Sequence, residues 1–121
     1  MFHSISIIGA LNWAIYHRSD VLMIVPNKYA ISDTIYRIDQ EFKNIRQKQM
    51  EEETILTFIE ISSDNYIKFT NGGSITILSE QYKNKFRGLG FDIIYVHPWT
   101  KQYHIPDQTI STCLRKGGVI F

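Results

Sequence analysis

The chain has 121 residues, of which 44% are hydrophobic and 21% charged, and its net charge at pH 7 is +1. This composition supplies enough apolar side chains for one folded domain, and it excludes a disordered chain and binding driven by overall charge. Cys113 is the only cysteine. An internal disulfide is therefore excluded, and we expect a small buried residue in a reducing compartment.

The first half of the chain predicts a helix, a strand and a second helix. Residues 4–17 are apolar on nearly every face, which predicts a buried helix capped by Ser4. The apolar stretch 1–16 lacks the pattern of a signal peptide and is too short to cross a bilayer. The continuous apolar run 21–25 predicts a strand that is buried on both faces. The next helix shows an apolar stripe that ends before residues 47–53. Its members are Ile31, Ile35, Ile38, Phe42 and Ile45.

The second half predicts a hairpin followed by a strand, a helix and a last strand. Residues 55–61 are strand-like. Residues 66–70 and 74–78 flank Asn71-Gly72-Gly73, a strong signal for a hairpin turn. The apolar run 91–96 predicts a second buried strand. Residues 107–116 predict a short helix capped by Asp107, and residues 119–121 a final strand.

This order of elements predicts an α/β fold built as one domain over residues 1–121. Two buried strands separated by helices favour a three-layer arrangement, with a mostly parallel sheet and helices on both of its faces. The hairpin then forms an antiparallel insertion in that sheet.

Four segments together resemble the ATPase domain of the large terminase subunit of tailed phages, a P-loop ATPase that drives DNA packaging. The two most telling are F-T-N-G-G-S-I-T-I-L-S from Phe69 and F-R-G-L-G-F-D-I-I-Y-V from Phe86. V-L-M-I-V-P-N from Val21 resembles the strand after the P-loop helix, and L-R-K-G-G-V-I-F from Leu114 resembles the strand beyond Walker B. The resemblance covers almost the whole chain and implies a viral protein.

The residues that hydrolyse a nucleotide in that family are absent from this sequence. The phosphate-binding pattern G-x-x-x-x-G-K-[ST] does not occur, and by the resemblance the loop and its strand would precede Ser4. The Walker B strand should end in two acidic residues, but residues 93–96 are followed by His97 and Pro98. The resemblance therefore implies a pseudoenzyme, and we expect no catalysis, no cofactor and no metal.

Two groups of residues are candidates for binding. The first interleaves aromatic and basic side chains, as in loops that follow a phosphate backbone and stack bases: Tyr82, Lys83, Lys85 and Arg87. The second lies beyond the strand 91–96, at the edge where α/β sheets bind ligands: Trp99, Tyr103 and His97. The alternative for the first group is a solvated loop without a binding role, and the alternative for the second is that Trp99 packs against the end of the domain. The spacing of His97 and His104 does not match a metal motif.

Three functional hypotheses follow. The first is a non-catalytic module that binds another protein or has a regulatory role. We expect it in the cytoplasm, which is that of the host cell if the protein is viral, and we expect no association with a membrane. A homodimer or a protein partner is expected, because the strand that precedes the phosphate loop in the family is missing. The second is a small protein that binds DNA or RNA weakly through residues 82–87. The third is an enzyme with unrelated chemistry around His97, His104 and Asp107.

Overall fold

Six strands and three helices make up the described part of the computed structural model, which covers residues 2–70, 72–81, 89–100 and 108–121. In chain order they are α1 (Ser4–Tyr16), β1 (Asp20–Val25), α2 (Lys28–Glu51), β2 (Ile59–Ser62), β3 (Tyr66–Phe69), β4 (Ser74–Ser79), β5 (Phe91–Val96), α3 (Gln108–Cys113) and β6 (Leu114–Ile120).

The strands form one mixed sheet in the order β2-β3-β4-β1-β5-β6. β1 pairs in parallel with β4 on one side and with β5 on the other, and β5 pairs in parallel with β6. The β2–β3 and β3–β4 pairs are antiparallel. The predicted α/β class, the mostly parallel sheet and its antiparallel insertion are confirmed.

Both faces of the central strands are buried, because consecutive side chains of a strand point to opposite faces. On one face, α1 and α2 pack on a cluster that includes Val21, Met23 and Val25 of β1. On the other face, Leu22 and Ile24 belong to a second cluster. The six-residue α3 contributes to this second cluster, but a full helical layer on that face stays a prediction.

The glycines that follow β3 lead the chain against the end of α1. Gly73 donates from its N–H to the carbonyl of Ala14 over 2.7 Å, and the next residue, Ser74, donates to the carbonyl of Ser19 over 3.2 Å. A Cβ on Gly73 would lie 1.8 Å from the Ser19 oxygen. Only glycine allows this approach, which sets the start of β4 beside β1.

Most predicted elements are confirmed, but several bounds differ. The N-cap of α1 is His3, whose Nδ1 accepts from Ile5, and not Ser4. Helix α2 extends to Glu51 through the polar stretch, whose Gln, Lys, Met and Glu residues are strong helix formers. Within it, the buried side chain of Gln49 pairs with Thr57. β2 begins at Ile59 rather than at residue 55. The last helix ends at Cys113 and β6 begins at Leu114, so the predictions of a helix up to residue 116 and of a strand only from residue 119 were wrong.

Within the described residues, the sheet is continuous around β5. The resemblance implied that a strand beside the Walker B strand is missing, yet β5 has β1 on one side and β6 on the other. The open backbone edges belong to β2 and β6 instead. Any strand from another chain would therefore lie at an edge of the sheet and not in its middle.

We predict that Gly73→Ala destabilises the fold more than Gly117→Ala does. The first substitution forces backbone atoms apart, which should lower the free energy of unfolding by about 2–3 kcal/mol. Gly117 has a φ of 84° but open space around its Cα, so its substitution should cost only about 1 kcal/mol. Urea unfolding of both variants measures the difference, and equal losses would contradict the close approach at Ser19.

Candidate functional site

The turn after β5 is organised by a buried histidine. His97 is 1% exposed, and its N–H donates to the carbonyl of Ile24 over 2.9 Å. The His97 carbonyl accepts from both the N–H and the hydroxyl of Thr100, over 3.0 and 2.8 Å. These bonds join the ends of β1 and β5 and close the turn.

The His97 ring completes the turn. Its Nδ1 accepts from the N–H of Trp99 over 3.0 Å, which places the proton of a neutral imidazole on Nε2. The ring also packs edge-on against Phe2 and Trp99, with centroids 5.0 and 5.3 Å away. His97 is therefore a structural residue at the position where the resemblance would place an acidic group.

Of the three residues predicted for an interface, two lie in the described structure, and only Trp99 is exposed. Trp99 is 77% exposed and stands out from the turn, as an interface anchor would. His97 lies beneath it and does not reach the surface. Tyr103, like His104 and Asp107, lies outside the described residues.

The basic and aromatic loop also lies outside the described residues. This applies to the whole predicted nucleic-acid set: Tyr82, Lys83, Lys85 and Arg87. The prediction that these side chains contact phosphates stays a prediction from the sequence.

A charged cluster at the amino ends of the strands was not foreseen from the sequence. Arg115 of β6 donates from one nitrogen to Asp20 of β1 over 2.8 Å and to Asp92 of β5 over 3.0 Å. Ser74 of β4 donates to the other oxygen of Asp20 over 2.8 Å, and the N–H of Asp20 donates to Asp92 over 2.8 Å. The cluster thus connects the four parallel strands. The sequence signal that could have predicted this cluster is the position of the two aspartates, because Asp20 directly precedes one apolar run and Asp92 lies within the other.

The pKa of Asp20 reflects competing effects in this cluster. Burial raises it, but the hydrogen bonds from Arg115 and Ser74 and the charge of Arg115 outweigh burial and hold the pKa below its ordinary value. The ionised carboxylate therefore stabilises the fold. Cys113 behaves differently, because burial raises the pKa of its thiol, as expected for a structural cysteine rather than a nucleophile.

One open edge of the sheet is apolar. β6 pairs only with β5, and Val119, Ile120 and Phe121 are 43%, 43% and 51% exposed. Phe121 exchanges both of its backbone bonds with β5. Because backbone groups alternate along a strand, the N–H and C=O of Ile120 point away from the sheet. Such an edge can pair with another strand.

The apolar edge continues onto α1. Phe121 stacks on Tyr95 with ring centroids 4.9 Å apart, and Tyr95 lies against Gly9 of α1. Ile5 and Ile8, on the same helix, are 73% and 39% exposed. We call these residues together the β6 edge surface: Ile5, Ile8, Val119, Ile120 and Phe121.

The opposite edge is less suited to pairing. β2 has four residues, all exposed, and its register with β3 shifts between Ile59 and Ile61. It also carries Glu60. Short length, an irregular register and a charge are features that protect an edge strand from further pairing.

Comparison with protein-family models and with curated proteins finds no match to this chain. Among the described helices, none combines the length and the apolarity needed to cross a membrane. In the same part of the chain, no group of three His, Cys, Asp or Glu side chains is arranged to hold a metal ion.

We predict that the stabilisation from Asp20 is lost on acidification. A lowered pKa means that the stabilisation is complete above the unfolded-state pKa of about 3.9 and disappears as the pH falls through the folded-state value. Asp20→Asn should therefore melt below the wild type at pH 7, and the two melting temperatures should converge below pH 4. Asp64→Asn, at a carboxylate without an ion pair in the described structure, is the control. A gap that persists unchanged at pH 3 would contradict the assignment.

Proposed function

We propose that this chain is a catalytically inactive, terminase-ATPase-like domain that acts as a protein-binding or regulatory module. The observation that carries the proposal is the β6 edge surface, which combines the unpaired apolar edge of β6 with exposed isoleucines of α1, the helix that packs against the neighbouring strand β5. An apolar patch of this kind on a small domain marks an interaction site. The structural role of His97, at the position of the expected acidic pair, supports the absence of catalysis.

The partner that we propose for this surface is a second copy of the chain. Residues 4–16 of α1 carry no charge, so two such helices meet without repulsion. On β6 the basic residues come first, and Arg115 is already paired with Asp20 and Asp92. An antiparallel pairing about Gly118 sets Lys116 of each copy opposite Ile120 of the other. The two Lys116 side chains then lie at opposite ends of the contact.

We predict that the wild type is a dimer and that Ile120→Lys is a monomer. In the proposed contact the new lysine stands opposite Lys116 of the other copy, so two like charges face each other. The substitution leaves the core intact, because Ile120 is 43% exposed. Ile61→Lys, on the edge strand β2 and 52% exposed, is the matched control and should remain a dimer. Light scattering over a dilution series measures the mass against 14.2 kDa for one chain.

Two results would contradict this proposal. The first is a wild-type monomer at micromolar concentration whose melting temperature does not change on dilution. The second is a dimer that Ile61→Lys dissociates and Ile120→Lys does not. If the wild type is a monomer that binds a different protein through Ile120, the proposal of a protein-binding module stands and the proposal of a homodimer is wrong.

The alternative function is weak binding of DNA or RNA by the loop 82–87, which only the sequence supports. If Lys83, Lys85 and Arg87 contact phosphates, replacing all three with alanine should reduce the slope of log K against log salt by about 3. Titration of a generic oligonucleotide at several salt concentrations measures this slope. An unchanged affinity in the triple variant would exclude the alternative.

A further inference from the structure

A groove of about 930 Å³ lies between the first half of α2 and the turn that joins β2 to β3. Its volume is in the range of natural ligand sites. Ile31 and Ile35 in its lining are only partly buried, and Ile59 is 36% exposed. An apolar molecule in the groove would therefore remove further surface from water. The aliphatic lining consists of Ile31, Ile35, Ile38, Ile59, Ile67 and Leu78.

One end of the groove lies at the carboxyl edge of the sheet. β1 and β4 stay in register up to Ser79, and Lys28 begins α2 just after the end of β1. The β2–β3 turn reaches the same edge, because the carbonyl of Asn65 accepts from the N–H of Ile77 over 2.8 Å. Lys28 of α2 and Asp64 of the turn both line the groove here. We call this pair of residues the charged mouth.

The other end of the groove lies toward the amino edge of the sheet. α2 runs back over β4 in that direction, and Phe42 packs on Phe69 of β3 with ring centroids 5.5 Å apart. Ile59 pairs with Phe69 and lines this end together with Asp39. The Asp39 carboxylate is already paired with Lys43 at 3.1 Å. The groove thus changes from charged at its mouth to aliphatic along its length.

The length of the groove is set by α2. Lys28 and Asp39 are the first and the last residues of the helix that line it, and a helical rise of about 1.5 Å per residue places them roughly 16 Å apart. Among the described residues that line the groove, Tyr36 is the only aromatic one, and it is 64% exposed. A long aliphatic lining suits an alkyl chain, whereas a flat ring system would need aromatic side chains to stack on.

The charged mouth restricts the head group that such a chain can carry. Asp64 has no ion pair in the described structure, and the Lys28 ammonium lies 5.3 Å from the centroid of the Tyr29 ring without a carboxylate partner there. A head group of one sign would be attracted by one wall and repelled by the other. A head group that carries both signs can turn its anion toward Lys28 and its cation toward Asp64, so charge complementarity selects a zwitterion.

We infer that this groove binds a single-chain amphiphile with a zwitterionic head group, of which an alkyl phosphocholine is the simplest case. The alkyl chain lies along α2 on the aliphatic lining. The phosphate of the head group faces Lys28, and its ammonium faces Asp64. The site is separate from the β6 edge surface and does not depend on dimer formation.

Three probes separate the contributions of the chain and the head group, and NMR of the isotope-labelled full chain follows their binding. Dodecylphosphocholine, kept below its critical micelle concentration, should cause saturable amide shifts in residues 28–39 and 62–65. Dodecyl maltoside has the same chain and an uncharged head group, and it should bind about fivefold more weakly because two exposed ion pairs are lost. Glycerophosphocholine, which lacks the alkyl chain, should not bind saturably.

A neutral charged mouth tests the selection of the head group. Lys28→Gln/Asp64→Asn leaves the core intact, because both side chains are exposed. This variant should bind dodecylphosphocholine about fivefold more weakly than the wild type does, and its affinity for dodecyl maltoside should not change. Asp39→Asn/Lys43→Gln, at the ion pair outside the mouth, is the matched control and should retain the preference for dodecylphosphocholine.

Two further variants place the alkyl chain in the groove. Ser32 is exposed and lines the groove, so Ser32→Tyr fills it without altering the core and should weaken the binding of both amphiphiles about tenfold or more. Gln40→Tyr, exposed on the same helix outside the groove, should bind as the wild type does. Ile120→Lys should also bind normally, which separates this site from the proposed dimer contact.

Three results would overturn the inference. The first is the absence of saturable shifts in residues 28–39 below micelle formation. The second is equal affinity of the wild type for dodecylphosphocholine and dodecyl maltoside, which would show that the groove accepts an alkyl chain without selecting its head group. The third is binding that Ser32→Tyr leaves unchanged and that shifts only residues 5–8 and 118–121, which would place the amphiphile on the β6 edge surface.

Discussion

The parallel pairing of β1 with both β4 and β5 is the constraint on which the rest of the structure depends. Residues 21–25 of β1 are completely buried, so neither face of this strand tolerates water. One face is covered by α1 and α2, and the other forms the second cluster. Parallel strands need long crossover connections, and the connection from β1 to β4 supplies α2 and the β2–β3 pair. In the sheet, β4, β3 and β2 lie on one side of β1, and β5 and β6 lie on the other.

The two ends of the central strands are secured by different chemistry. At the amino ends, Arg115 bridges Asp20 and Asp92 across three strands. At the carboxyl ends, His97 joins the turn after β5 to Ile24 of β1. The same edge of the sheet carries the exposed Trp99, so the carboxyl edge combines a hydrogen-bonded turn with accessible surface.

Local patterns were sufficient to predict most of the elements. The apolar runs of β1 and β5 and the helical stripe of α2 follow from periodicity, and the glycine pair predicted the hairpin. The extension of α2 was missed because the prediction followed the apolar stripe, which stops at Ile45, whereas the Gln, Lys, Met and Glu residues that follow are strong helix formers.

The candidate sites were harder to predict, because they depend on which strand ends meet. Asp20, Asp92 and Arg115 are far apart in sequence and come together only through the strand order. For His97, the sequence suggested a surface residue, and only the bond from Trp99 reveals its structural role. Trp99 itself was correctly placed beyond β5.

Amide hydrogen exchange at two protein concentrations tests the central claim, that the β6 edge surface is a protein-binding surface and is covered by a second copy. Raising the concentration from about 1 to 200 µM should slow exchange in residues 118–121, because the outward N–H groups become paired in a dimer. Residues 59–62 of β2 should exchange at the same rate at both concentrations. Equal exchange of residues 118–121 at both concentrations, or protection confined to β2, would contradict the account.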